Sequence, residues 1–260
     1  MLVAETMLAQ TQTVRVARSY PGFLGRFPTP AACAKASLGA VLEAWSGLGY
    51  NRRARSLHEA ARSIVTRHGG SLPQDLDALL ALPGVGPYTA RAVLAFAFGF
   101  DVGVVDTNVG RVLARAIAGR SLQPAEAQRL ADSLVPTGIA RSWNLAVMDL
   151  GSEVCAGRPR CSRCALGAAG LCVWADSGFP APDPAARSAG ASGRQPRFAG
   201  SDRAGRGALV RAALAGPIGA SDVATAAGWP DDPGRTAKVV AGLVAEGLLV
   251  AAPDGSLHVP

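Results

Sequence analysis

The chain has 260 residues, 49% of them hydrophobic, enough for one large domain or two with a buried core. Basic side chains outnumber acidic ones, 26 to 19, and the formal charge of +7 points to an anionic partner, nucleic acid before any other. The longest apolar run, AVLAFAFGF at 92–100, is too short for a bilayer, and polar residues break the opening MLVAETMLAQTQTV, so a soluble, cytoplasmic protein is expected.

From residue 1 to about 150, apolar residues recur at helical spacing, with separators at PGFLGRFPTP (21–30), GLGYN (47–51), HGGSLP (68–73) and PGVGP (83–87). No alternating strand pattern of useful length interrupts them, so this region is expected to be all-α. The basic surplus belongs to it and to the cysteines that follow: residues 1–180 carry 18 basic and 12 acidic side chains, residues 181–260 only 8 and 7.

Within that region, LPGVGPYTA (82–90) joins two helical patterns too tightly for a flexible loop. Gly84 and Gly86 open backbone conformations closed to other residues and, lacking Cβ atoms, permit close approach; Pro87 suits the first turn of the second helix. The uncapped N–H groups of that turn, around Val85 and Gly86, then suit an anionic oxygen, the logic of a helix–hairpin–helix on a DNA phosphate. An ordinary turn between helices is the other reading.

Cys155, Cys161, Cys164 and Cys172 follow as C-x5-C-x2-C-x7-C, interleaved with Arg158, Arg160 and Arg163. Four thiolates this close hold one tetrahedral zinc or a cubane iron–sulfur cluster, and spacing alone does not separate the two. Cys33 stands apart as a small core residue. Residues 179–205, rich in Pro, Gly, Ser and Ala, read as a flexible linker. Helical patterns then fall at 206–215, 220–228 and 232–247, with Ser221 and Asp222 as candidate N-caps, and LLVAA and SLHV flank the turn PDG. Three helices and a terminal hairpin make a winged-helix-like module over 206–260.

Taken in order, ETMLAQTQ (5–12), WSGLGYNRRARSLHEAA (45–61), LPGVGPYTARAVLAFAFG (82–99), VVDTNVGRVLARAI (104–117) and the cysteine run resemble the helix–hairpin–helix DNA glycosylases, most closely the A/G-specific adenine glycosylases of the MutY type. The resemblance covers residues 1–178. It implies an all-α helix–hairpin–helix glycosylase fold with an iron–sulfur loop, a [4Fe–4S] cluster on the four cysteines, and a monofunctional enzyme of base excision repair. Such an enzyme acts as a nucleoid-associated monomer on double-stranded DNA, hydrolysing adenine from mispairs with 8-oxoguanine or guanine.

The resemblance also implies roles for single residues. Glu5 would protonate adenine N7, and Asp106 would stabilise the positively charged sugar, with Asn108 as an amide beside it. Tyr88 stands where endonuclease III-like relatives carry a Schiff-base lysine, and tyrosine cannot form that bond. Leu48 and Tyr50 match residues that wedge near the base opposite the target, Gln10 and Gln12 an element near the extruded adenine, and Gly84, Val85 and Gly86 the phosphate-gripping hairpin. Each has a plainer reading beside it: Asp106 as a helix cap, Glu5 as a solvated helix residue, Tyr88 as core.

Four features depart from the pattern. The family carries a further helix ahead of the Glu5 position, Ala9 replaces a glutamine, and the cysteine spacing differs from C-x6-C-x2-C-x5-C. Residues 206–260 are too short for the Nudix-like domain typical of the family. A mismatch thymine glycosylase of the same fold is the rival enzyme, although it lacks a glutamate matched to Glu5. A catalytically impaired DNA-binding protein is the rival of another class.

Overall fold

The structure, a computed structural model, describes residues 1–189 and 197–260. Five helices come first: α1 (Leu2–Leu8), α2 (Thr13–Arg26), α3 (Pro30–Lys35), α4 (Leu38–Ala44) and α5 (Arg52–Arg67). Then follow α6 (Leu76–Leu80), α7 (Pro87–Val93), α8 (Thr107–Val112), α9 (Pro124–Leu134) and α10 (Ala140–Asp149). Helices α7, α8 and α10 each run on into a wider π-type turn, at Leu94–Phe98, Leu113–Ala118 and Leu150–Val154. The cysteine loop holds two single turns, α11 (Ala165–Ala168) and α12 (Val173–Asp176). The tail comprises α13 (Asp202–Ala215), α14 (Val223–Ala227), α15 (Pro233–Ala245), β1 (Val250–Ala251) and β2 (Leu257–His258). The all-α expectation holds for the whole first region.

Local chemistry sets many of these starts. Thr29 accepts from the Ala32 amide with Pro30 at the first helical position, Ser37 caps α4 through Ala40, and Asp106 caps α8. The Glu126 carboxylate reaches back to the Gln123 amide at the head of α9.

The chain forms two compact units. One contains residues 2–73, 78–84 and, among those described, 197–260; the other contains Met1, residues 74–77 and residues 85–189. In the first, Trp45 is wholly buried with Phe23 against it edge to face at 6.0 Å and Phe27 behind Phe23 at 5.1 Å. The tail belongs to this unit because polar contacts tie it to α5. Arg55 of α5, itself paired with Glu59, donates to the Glu246 carbonyl of the tail, and within the tail Arg206 pairs with the Glu246 carboxylate at 2.5 Å. In the second unit, Val109, Leu113 and Leu122 form one apolar cluster and Ala92, Phe96 and Val104 another.

The terminal hairpin is present but short, Val250 opposite His258 and Ala251 opposite Leu257, with Ile218 bridging to Leu257. Neither expected cap operates: the Ser221 hydroxyl donates to Asp222, whose side chain caps nothing, whereas Asp232 caps α15 through the Arg235 amide. The stretch expected as a flexible linker is partly fastened. Ser188 accepts from the Leu122 amide, the Ala189 amide donates to the Leu122 carbonyl at 2.7 Å, and α13 begins at Asp202 because Ser201 caps it. The linker residues 190–196 lie outside the described residues. Among the described residues no helix is long and apolar enough to cross a membrane.

Candidate active site and cysteine loop

Glu5 sits in the middle of α1 and is buried, only 8% exposed, so it is not a solvated helix residue. The chain leaves α1 through Gln10, whose φ of +61° is left-handed, and Gln12 is the extended residue that opens α2; both glutamines are exposed. This exit is held by Arg53 of α5. One guanidinium nitrogen donates to the carbonyls of Thr6, Met7 and Ala9 at 2.8, 2.9 and 2.5 Å. The other donates to the Thr11 hydroxyl at 2.9 Å and the Gly49 carbonyl at 3.2 Å. Burial lowers the pKa of Arg53, an effect countered in part by Tyr50. Arg53 therefore ties the segment after Glu5 to the loop before Tyr50.

That loop is strongly curved. Gly47 and Gly49 take φ of +85° and +71°, and Tyr50 follows at +49°, a conformation that costs a non-glycine residue about 1–2 kcal/mol. Tyr50 is partly exposed and its ring lies 5.3 Å from the Arg53 guanidinium. Leu48 does not share this exposure. At 2% exposed its side chain is part of the core, whereas Tyr50, the other residue expected to wedge near the base, is partly exposed.

The two hairpin glycines do different things. Gly84 has φ +76°, and a Cβ there would stand 2.5 Å from the Ser56 Cβ, so both its conformation and its bareness are needed for packing on α5. Gly86 has an ordinary extended φ of −95° and nothing within 4 Å of a Cβ position. It opens α7 without a side-chain cap, with Pro87 at the first position; the Val85 side chain is buried, leaving its backbone as the group that can meet a ligand. Tyr88, one residue further on, is 36% exposed and is not core.

Asp106 is indeed a helix cap, and more. Its Oδ1 accepts from the Asn108 and Val109 amides at 2.9 and 2.7 Å, and its Oδ2 accepts from the Asn108 side-chain amide at 2.7 Å. Asn108 in turn accepts from Arg111 at 2.6 Å, and Arg111 donates to the Gly151 and Cys155 carbonyls. Gly151 admits this contact because a Cβ there would stand 2.5 Å from the Asn108 carbonyl oxygen. The expected pair Asp106 and Asn108 is thus brought together and clamped in one orientation.

One turn beyond Arg111, Arg115 reaches the cysteine loop. It donates to the Cys155 and Ala156 carbonyls, lies 3.5 Å from the Cys155 sulfur and pairs with Asp183 at 2.6 Å. Asp183 is held below the usual carboxylate range, first by its hydrogen bond from Arg115, and the same bond raises Arg115. Neither arginine was singled out from the sequence; the signal was present as the i, i+4 pair that follows Asp106 on one helix face.

Cys155, Cys161, Cys164 and Cys172 line one cavity of about 340 Å³, walled also by Arg115, Trp174 and Phe179. Burial raises the Cys155 and Cys161 thiols, and the neighbouring thiols add to this, so a cation held here must displace protons. Among the described residues no three such side chains converge on a single ion. Four soft thiol donors around one cavity are a donor set that fits a tetrahedral ion or an iron–sulfur cluster. Cys33 is buried alone, its pKa pushed up to about 11 by desolvation.

A glycine hairpin, a helix-capping aspartate after it and a thiol-lined loop thus follow one another along this chain. The chain belongs to the HhH-GPD superfamily of base excision DNA repair proteins, whose pattern matches residues 3–137. It is similar along its whole length to the adenine DNA glycosylase of Mycobacterium tuberculosis, 39% identical over 265 aligned residues that cover 100% of this chain and 84% of that protein. Its fold matches a thermostable thymine-DNA glycosylase with a TM-score of 0.62 and 31% identity, over 68% of this chain and 83% of the other. An endonuclease III trapped in a covalent intermediate with DNA matches with a TM-score of 0.57 and 26% identity, over 69% and 84%.

Proposed function

We propose that this protein hydrolyses the N-glycosidic bond of adenine mispaired with 8-oxoguanine or guanine in duplex DNA. The observation that carries the reading is the doubly held Asp106, a carboxylate whose two oxygens are fixed by three donors at the start of α8. Adenine leaves as a neutral base only after protonation, and Glu5, buried on α1, is the acid for N7. As the C1′–N9 bond breaks, positive charge grows on the sugar, and the Asp106 carboxylate stabilises it where it appears. Water then adds to C1′ and leaves an abasic site. Tyr88 makes no Schiff base, so the strand stays intact until alkali is added.

The hairpin residues Gly84, Val85 and Gly86 hold backbone phosphate, and the exposed Gln10, Gln12 and Tyr50 meet the unpaired bases. Extruding a base is least costly at a mispair. The four cysteines would hold a [4Fe–4S] cluster, which would supply a structural crosslink for the loop of residues 155–172. Arg115 is the group that fixes this loop to α8.

Single-turnover excision on A:8-oxoguanine, A:G and T:G duplexes, beside thermal melting, tests the reading. Glu5→Gln should lower adenine release by about 10²–10⁴-fold with binding retained. Asp106→Asn keeps the cap at Oδ1, since Asn caps about as well as Asp, but sets an NH2 group against the Asn108 amide, so it should cost about 10²–10³ in rate and about 1 kcal/mol in stability. Near-normal excision by Asp106→Asn would remove it from the chemistry, and thymine release in preference to adenine would replace the substrate.

A further inference from the structure

The curved loop carrying Tyr50 is met by the C-terminal module. Arg203, in the first turn of α13, donates to the Tyr50 hydroxyl at 2.8 Å, and its guanidinium lies 5.9 Å from the Tyr50 ring. On its other side the same guanidinium lies 6.0 Å from the Phe198 ring. Arg53 mirrors it, 5.3 Å from Tyr50 and 5.3 Å from Trp45. Aromatic rings and guanidinium groups therefore alternate from the buried Trp45 through Arg53, Tyr50 and Arg203 to Phe198, which is 61% exposed. Each such contact is favourable on its own, and a ring flanked by two cations has few other orientations open to it.

We propose that Arg203 is a positioning residue for Tyr50, and that this is what the C-terminal module contributes to DNA recognition. The inference rests on the reading above, in which Tyr50 meets a base opposite the target. Tyr50 occupies a left-handed backbone conformation that its loop must sustain at a cost. Arg53 secures the loop beside the ring, and Arg203 grips the hydroxyl end of the ring, the end that decides where its edge points. Preorganising a ring of this kind removes an ordering cost from binding.

The module has no better route to DNA in its third helix. Arg235 of α15 donates to Asp202 at 2.7 Å and to the Gly200 carbonyl, and its guanidinium covers the Trp229 ring at 4.1 Å. It is engaged in fixing the start of α13, the turn that carries Arg203. The module thus braces Arg203 instead of presenting a helix to a groove.

The full chain labelled with 3-fluorotyrosine has three reporters, Tyr20, Tyr50 and Tyr88, with Tyr50→Phe assigning the second. In Arg203→Ala the Tyr50 fluorine resonance should shift and narrow while the other two stay in place; Arg203→Gln, which keeps a donor, should restore part of the shift. Affinity for an A:8-oxoguanine duplex should fall about tenfold in Arg203→Ala, and by clearly less in Arg211→Ala, which removes a charge from an exposed position of the same helix. An unmoved Tyr50 resonance, or equal losses in the two alanine variants, overturns the proposal. If wild type fails to excise adenine while the resonance still moves, the glycosylase reading falls and the positioning role stands.

Discussion

Each compact unit is organised around an arginine that gathers backbone carbonyls, but the two arginines are treated differently. Arg53 receives carbonyls and a hydroxyl, its Nε finds no partner, and burial lowers its pKa. Arg115, only 2% exposed, holds the carbonyls of the cysteine loop and also Asp183, which keeps it charged. The difference separates a charge paired with a carboxylate from one held by neutral acceptors. Arg115 and Asp183 offset each other beside the loop that Arg115 fastens. Arg53 donates to carbonyls and a hydroxyl, which leave its positive charge in place beside Tyr50 and the exit from α1.

The contrast can be broken most sharply at Arg115. Arg115→Ala should destabilise the protein by about 2–4 kcal/mol, chiefly because the Cys155 and Ala156 carbonyls lose a buried donor while solvent screens the partly exposed Asp183, measured by chemical denaturation. A change under 1 kcal/mol would mean that other contacts hold the loop. Arg53→Lys should cost less, about 1–3 kcal/mol, because one ammonium cannot span both sets of acceptors that the planar guanidinium reaches. Lysine keeps the positive charge, so DNA affinity of the folded Arg53→Lys protein should stay close to wild type; Arg53→Gln should bind DNA more weakly and with a shallower salt dependence, and equal binding by the two would deny that charge a role at the interface.

The hairpin glycines sharpen the comparison on a smaller scale. Gly84→Ala should destabilise by at least about 1 kcal/mol, since φ is +76° and the added Cβ meets Ser56. Gly86→Ala should leave melting within about 0.5 kcal/mol, because its Cβ direction is open, while lowering affinity for duplex DNA. Reversed behaviour of the two would reassign which glycine serves packing and which serves phosphate.

Much of this was legible in the sequence where the information is local. The hairpin around 84–87, the cap at Asp106 with Asn108 two residues on, the helical first region and the four-cysteine run all depend on residues within a turn or two of one another. Backbone preference and capping act over that range, so spacing alone reveals them. The tertiary structure decided the rest. Leu48 and Tyr50 are two residues apart and look alike as wedges, yet packing buries the first and presents the second. Arg53, Arg115 and Arg203 each act on partners far along the chain, Arg203 on a residue 153 positions away, and a guanidinium on a helix has no mark in the sequence that tells a rivet from a solvated charge. The linker expected over 179–205 is fastened at Asp183 and Ser188 for the same reason: a flexible composition describes the free segment, whereas a buried arginine and an unsatisfied Leu122 amide elsewhere decide whether it is free.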